Sequence, residues 1–179
     1  WSPFWRMLPT SLTKLDLSSN SLNDRAIASL CGSLRPDSCL KHLLLKGNRC
    51  KDIERLCGLI SSGRLQSLDL GENLLNDKSV AQLAMGVSSS ASSLSCLSLA
   101  GNRKLSAAGL QALVNELPRC CLQRLNLDRT GLDDEVAASL AEALSQCPSL
   151  TTLSAVETCM TSSGARQLLA MAKASCTVR

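Results

Sequence analysis

Ten cysteines, one histidine and a scatter of serines and aspartates are the residues of this 179-residue chain equipped for covalent or metal chemistry. Each chemistry makes its own demand on spacing. Zinc asks for cysteines paired two to four residues apart with histidine or more cysteine, and the chain has no C-x-x-C and only His42. A nucleophilic thiol asks for an imidazole within hydrogen-bond reach, so His42 and Cys96 are the pair to place. A hydroxyl nucleophile would draw on His42, Ser67 and Asp69. Whether any of these meet depends on the elements that carry them.

Those elements follow from one phrase said six times. Leu12-Thr-Lys-Leu15-Asp-Leu17-Ser-Ser-Asn20-Ser-Leu22 reads L-x-x-L-x-L-x-x-N-x-L. It returns with first leucines at Leu40, Leu65, Leu94, Leu122 and Leu150, at steps of 28, 25, 29, 28 and 28 residues. A fixed period of this length marks a solenoid. Each L-x-L is a short strand whose alternation turns the leucines inward and the residues between them to the opposite face. The Asn in the ninth position turns the chain, its amide satisfying backbone groups in the tight loop. A helix follows, with apolar residues such as Leu22, Ile27 and Leu30, or Leu75, Val80 and Leu83. Start signals stand at Asn23-Asp24, Asn76-Asp77, Ser106, Asp133-Asp134 and Thr161-Ser162. The expected fold is α/β: six repeats stacked in a horseshoe arc, with a parallel concave sheet and convex helices over residues 12–172.

The departures are specific. The second repeat is three residues short, so its helix is expected to begin near Asp52 and present Ile53, Leu56 and Leu59. The fourth carries Arg103-Lys104 before its leucine, which should bulge the loop, and the fifth and sixth put Thr130 and Thr158, weaker acceptors, in the Asn slot. Ala155 replaces a strand leucine. Residues 1–11 read as a cap or the tail of a preceding repeat, with a helix started by Ser2-Pro3 and ended at Pro9, and Phe4, Trp5 and Leu8 on its apolar face. Residues 173–179 read as a closing cap or tail, with an edge strand through Cys176 and Val178.

Placed in register, the non-leucine strand positions form two columns. One runs Lys14, His42, Ser67, Cys96, Arg124, Thr152; the other runs Asp16, Leu44, Asp69, Ser98, Asn126, Ser154. His42 and Cys96 then stand two strands apart, about 10 Å, three times hydrogen-bond reach. An open sheet also spends its amides in the ladder and offers no oxyanion donors. The expectation is a protein that is not an enzyme, with no catalytic, metal or cofactor residues.

Composition points the same way. Three aromatics in the whole chain leave the core to identical aliphatic side chains. A net charge of +4 without clustering argues against direct nucleic-acid binding. No apolar run is long enough to span a membrane. Cysteines at helix ends and in a leucine slot (Cys50) read as reduced core thiols, hence an intracellular setting, cytoplasmic or nuclear.

The L-x-x-L-x-L-x-x-N-x-L segments and the L-x-D-x-x-[AV]-x-x-L helix starts at Leu22, Leu75 and Leu132 resemble the ribonuclease-inhibitor-like class of leucine-rich repeats. That class includes ribonuclease inhibitors, NOD-like innate receptors, Ran GTPase-activating proteins and the C-terminal repeats of the Tonsoku-like replication-fork repair scaffold. Inhibitors and receptors tend to alternate two repeat types with Cys in one Asn slot. Here the slot reads Asn four times and then Thr twice, which tilts the resemblance toward the single-type arrays. The resemblance implies a protein-interaction module of a larger scaffold, first in replication-fork repair. The alternatives are the sensing repeats of a NOD-like receptor, or GTPase activation through Arg124, Asn126 and Arg129. The expected partner is another protein on the concave face, with no small-molecule substrate. The face comprises Lys14, Asp16, His42, Leu44, Lys46, Asp69, Glu72, Cys96, Ser98, Arg124, Asn126, Asp128 and Arg129, the arginines being favoured interface residues.

Overall fold

The computed structural model describes residues 5–89, 91–172 and 177–178. Seven short strands lie in one parallel sheet in chain order: β1 Lys14–Asp16, β2 His42–Leu44, β3 Ser67–Asp69, β4 Cys96–Ser98, β5 Arg124–Asn126, β6 Thr152–Ser154 and β7 Thr177–Val178. Between them run α1 Asp24–Ser33, α2 Glu54–Ser61, α3 Asp77–Val87, α4 Ala107–Glu116, α5 Asp134–Gln146 and α6 Ser162–Ala172. The central leucines pair without slip, Leu15 to Leu43, Leu68, Leu97, Leu125 and Leu153. Register is this strict because a one-residue shift would turn every leucine to the open face.

Each strand starts one residue earlier than the L-x-L pair suggests. The second leucine of each pair (Leu45, Leu70, Leu99, Leu127) sits just past the strand and is fully buried. Ala155 holds the same buried place in the sixth repeat. Leu15 and Leu17 in the first repeat are half-buried, since no rung covers them on that side among the described residues. Trp5 is buried and belongs to the same core cluster as Leu22 and Leu30. The helix start expected at Ser2-Pro3, with Phe4, lies outside the described residues, as does Cys176; the last strand is Thr177–Val178, parallel to β6.

The turn asparagines do more than close their own loops. Asn73 gives its amide to the Leu70 and Leu45 carbonyls at 3.1 and 2.9 Å, and its oxygen accepts the Cys50 N–H of the repeat before at 3.0 Å. Asn48 and Asn102 repeat the pattern, so a column of buried amides links successive rungs. Thr130 breaks it: its hydroxyl donates to the Leu127 carbonyl at 2.6 Å. The rung it would have served does not need it. The extra residue in the fourth repeat turns the chain so that the Leu105 N–H bonds the Asn102 carbonyl at 2.9 Å. Insertion and threonine are matched.

Helices start at the expected signals, with Asn23, Asn76, Ser106 and Asp133 accepting backbone N–H bonds as N-caps. The second repeat corrects the reading. Its helix begins at Glu54 behind Ile53, which makes no side-chain cap bond, and Ile60 rather than Leu59 joins Ile53 and Leu56 in the core. Losing three residues shortens α2 to eight and rotates Leu59 to a half-buried position on the convex side.

A two-repeat rhythm runs through these joints. Asp24 accepts from the Lys51 and Asp52 N–H groups at 2.7 and 3.0 Å. Asp77 takes the Ser106 N–H and hydroxyl, and Asp134 the Thr161 N–H and hydroxyl, at 2.6 to 2.8 Å. Each of these carboxylates opens the helix of an odd repeat and clasps the loop of the even repeat that follows.

Candidate functional site

The sheet's open face carries a shallow groove over β2 to β6, lined by Leu44, Ser67, Asp69, Cys96, Ser98, Arg124, Asn126, Thr152 and Ser154. Its middle is built from small side chains, because the two columns place Ser67, Cys96 and Ser98 side by side in register. Leu44 stands at one end, half-buried, and Arg124 is exposed toward the other. One Asp69 carboxylate oxygen accepts the Gly71 N–H at 2.9 Å, and the Asn126 amide oxygen accepts the Asp128 N–H at 2.9 Å. These side chains are therefore fixed by their own turns.

Beyond the strand ends lies a rim of charge with an unusual backbone. Ser19, Gly47, Glu72, Gly101, Arg129 and Glu157 occupy the same place in successive repeats, and all have φ between 52° and 72°. Glycine adopts this left-handed conformation freely; the others hold it against steric cost. At this rim Lys46 pairs with Glu72 at 3.2 Å. Arg129 engages Glu157 through two bonds of 2.7 and 3.3 Å. That fork holds the Glu157 carboxyl below its usual range and raises Arg129 above its own. Asp128 accepts the Ser154 hydroxyl and the Val156 N–H, both at 2.7 Å.

The predicted residues thus fall into three groups. Leu44, Asp69, Cys96, Ser98, Arg124 and Asn126 come together in the groove. Lys46, Glu72, Asp128 and Arg129 form the rim, where Lys46 is neutralised by Glu72 and Arg129 by Glu157. Lys14 and Asp16 stand exposed on β1 outside the groove, the Asp16 carboxyl folded onto the Ser18 N–H and hydroxyl, which hold it below its usual range. His42 is half-buried on β2 with Ser67 as its strand neighbour, and Cys96 lies one strand further on. Cys96 meets Arg124 instead, whose Nε donates to its sulfur at 3.1 Å. Sequence reasoning missed Glu157 as the partner of Arg129, and it left Thr152 and Ser154 out of the groove although the columns contained them.

With this geometry in view, the family profile described as Leucine Rich repeat matches residues 9–31 and 90–114. The chain is a leucine-rich repeat domain. It is 36% identical over 148 residues to NACHT, LRR and PYD domains-containing protein 5 of Mus musculus, an alignment covering 78% of this chain and 12% of that protein. It is 36% identical over 141 residues to protein 9 of the same series from Bos taurus, covering 75% and 14%. Protein 3 of Homo sapiens matches at 31% over 178 residues, covering 80% and 17%. The leucine-rich repeat domain therefore spans about one-eighth to one-sixth of the length of these curated relatives. Among solved structures, an internalin from Listeria monocytogenes superposes with a TM-score of 0.57 at 21% identity, covering 99% of this chain and 49% of that one, a likeness of fold alone. No helix among the described residues is long and apolar enough to cross a membrane.

Proposed function

We propose that this leucine-rich repeat domain is the partner-binding segment of a larger intracellular protein of the NACHT-receptor kind, gripping another polypeptide in its concave groove. One observation carries the reading: a row of small side chains between Leu44 and Arg124 leaves room for a protruding segment, while the carboxylates beside it are already bonded, Asp69 to the Gly71 N–H and Asp128 to the Ser154 hydroxyl and Val156 N–H. The curated relatives support the receptor alternative over the replication-fork scaffold and over GTPase activation, since the names they carry are those of NACHT proteins. The two-repeat rhythm of Asp24, Asp77 and Asp134 supports it too, because the alternation absent from the Asn slot is present at the helix starts. Nine free cysteines among the described residues accord with a reducing compartment.

A photo-crosslinking amino acid at Ser98, in the full-length protein in cells, tests the reading against the same probe at Met85 on α3. Adducts at Ser98 that disappear with Arg124→Glu are the expected result. Equal adducts at Met85, insensitive to Arg124→Glu, would move the contact off the groove.

A further inference from the structure

Cys120 closes the short 3₁₀ turn Leu117–Arg119 at the end of the fourth repeat, and Cys147 follows α5 at the end of the fifth. Both are buried, with 8% and 1% of their surface exposed, and their side chains hydrogen-bond one another. The loops that carry them run side by side into β5 and β6. The Ser149 hydroxyl lies 3.4 Å from both the Cys147 sulfur and the Cys120 carbonyl, and the Thr151 N–H bonds the Gln123 carbonyl at 2.9 Å. Neighbouring strands stand about 4.8 Å apart, within the roughly 4.4–6.8 Å between Cα atoms that a disulfide spans. The pair is also shallow, for Pro118, Arg119, Cys121 and Pro148 beside it in sequence are exposed.

The two sulfurs are unequal. Hydrogen-bond donors surround Cys147: the Cys120 thiol, the Ser149 hydroxyl, and the Leu150 and Ser149 N–H groups. Led by the Cys120 bond, they hold its thiol below the ordinary range. The same bond, and burial after it, pushes Cys120 up. Cys147 is therefore the sulfur poised as thiolate, the nucleophilic form. The Leu117 carbonyl, 3.1 Å from the Cys120 sulfur, also accepts the Cys120 N–H at 3.1 Å, so it keeps a partner when the thiol proton leaves. The seam these residues cross lacks ties that other seams have. Asn48, Asn73 and Asn102 each accept an N–H of the repeat before, whereas Thr130 bonds only within its own turn. Among the described residues no aspartate clasp joins repeats four and five either, since Asp77 and Asp134 reach Ser106 and Thr161.

We propose that Cys120 and Cys147 form an oxidation site, at which hydrogen peroxide converts the paired thiols into a reversible disulfide stapling repeat four to repeat five. The Cys147 thiolate attacks one peroxide oxygen. The O–O bond breaks, an S–OH forms, and the departing hydroxide takes up a proton to become water. The Cys120 sulfur then attacks the Cys147 sulfur and gives up its proton; the S–O bond breaks, the S–S bond forms and a second water leaves. Two thiols are oxidised and one peroxide is reduced to two waters. A dithiol reductant reverses the bond by exchange. Linking residues 120 and 147 restricts the unfolded chain, so the oxidised protein resists unfolding. This site is separate from the concave groove and stands or falls without it.

The test is peptide mapping of the 179-residue chain carrying Cys39→Ser, Cys121→Ser, Cys159→Ser and Cys176→Ser, after hydrogen peroxide at neutral pH and blocking of the remaining thiols. Unreduced digests should contain one main linked pair, Cys120 to Cys147, which dithiothreitol dissolves. The urea midpoint should rise on oxidation and return on reduction. Cys147→Ala should abolish both the linked pair and the rise, with circular dichroism of the reduced variant checking its fold; the map of the parent stands whether or not that variant folds. Peroxide that leaves both thiols free, or carries either to a sulfinic acid without a link, overturns the proposal. So does a main link through Cys31, Cys50 or Cys57, or one that forms only in unfolding urea. A linked protein whose midpoint does not rise overturns the staple.

Discussion

Asn102→Ala should be among the most damaging single polar substitutions in the array. The Asn102 side chain is fully buried and makes three bonds: its amide to the Leu70 and Leu99 carbonyls at 2.9 and 2.7 Å, and its oxygen from the Leu75 N–H at 3.1 Å. Alanine leaves the Leu75 N–H and the Leu99 carbonyl without these partners, in a place water does not reach. The Leu70 carbonyl keeps the Asn73 amide at 3.1 Å. Two buried groups left unsatisfied at about 1–3 kcal/mol each give a loss of about 2–6 kcal/mol. Thr130→Ala removes a single bond, to the Leu127 carbonyl, and should cost about 1 kcal/mol. The Asn20 side chain is exposed and bonds only to the Ser18 carbonyl of its own turn, while the backbone N–H that reaches Asn48 survives substitution, so Asn20→Ala should cost under about 0.5 kcal/mol. Urea unfolding followed at 222 nm ranks the three. The reasoning is refuted if Asn102→Ala and Asn20→Ala shift the midpoint equally, for the linked amides would then carry no more than an ordinary turn.

Two further predictions rest on the same core. Leu70→Ala removes a fully buried rung and should cost about 2–5 kcal/mol, whereas Leu44→Ala, on the open face, should cost well under half of that; equal midpoints in urea would invert the assignment of inside and outside. Burial pushes the thiols of Cys31 and Cys50 up to about 12 and that of Cys57 to about 11, against about 8.5 when unfolded. A raised thiol favours the folded state fully below the unfolded value, and the unfolded chain loses its protons first as pH climbs. Stability under reductant should therefore hold to about pH 8.5 and fall toward pH 11–12. Cys31→Ala, Cys50→Val and Cys57→Ala together should flatten that decline in a pH series of urea midpoints, and an unchanged slope would refute the link.

The architecture was legible because its cause is local and repeated. A leucine at every second or third position of a fixed period has one way to be buried, and the register of Leu43, Leu68 and Leu97 follows from it. What escaped were the exchanges between repeats. Nothing within the phrase around Thr130 announces that the Leu105 N–H has found its own acceptor in the Asn102 carbonyl, through an inserted Arg103. The third core position of α2 escaped for a similar reason: counting from Leu56 reaches Leu59 by one spacing and Ile60 by the next, and only packing chooses. At the concave face the columns located the groove, but a column cannot show that Glu72 answers Lys46 or that Glu157 answers Arg129. Those pairings depend on left-handed turns that the residue types Glu and Arg do not advertise. The alternation of repeats was sought in the Asn slot, where it is missing, and lies one turn further on.

That alternation sets how such an array is cut and lengthened. Asp24, Asp77 and Asp134 each reach forward across one seam, so the stack is written in couplets. A truncation or fusion placed after an even repeat leaves every aspartate clasp closed and breaks only the amide links, such as Asn73 to Leu45 and Cys50. One placed mid-couplet strands a carboxylate facing loop amides that are no longer there, and exposes those of the orphaned half. Recombination that adds or drops couplets keeps each of these carboxylates bonded; recombination by single turns does not.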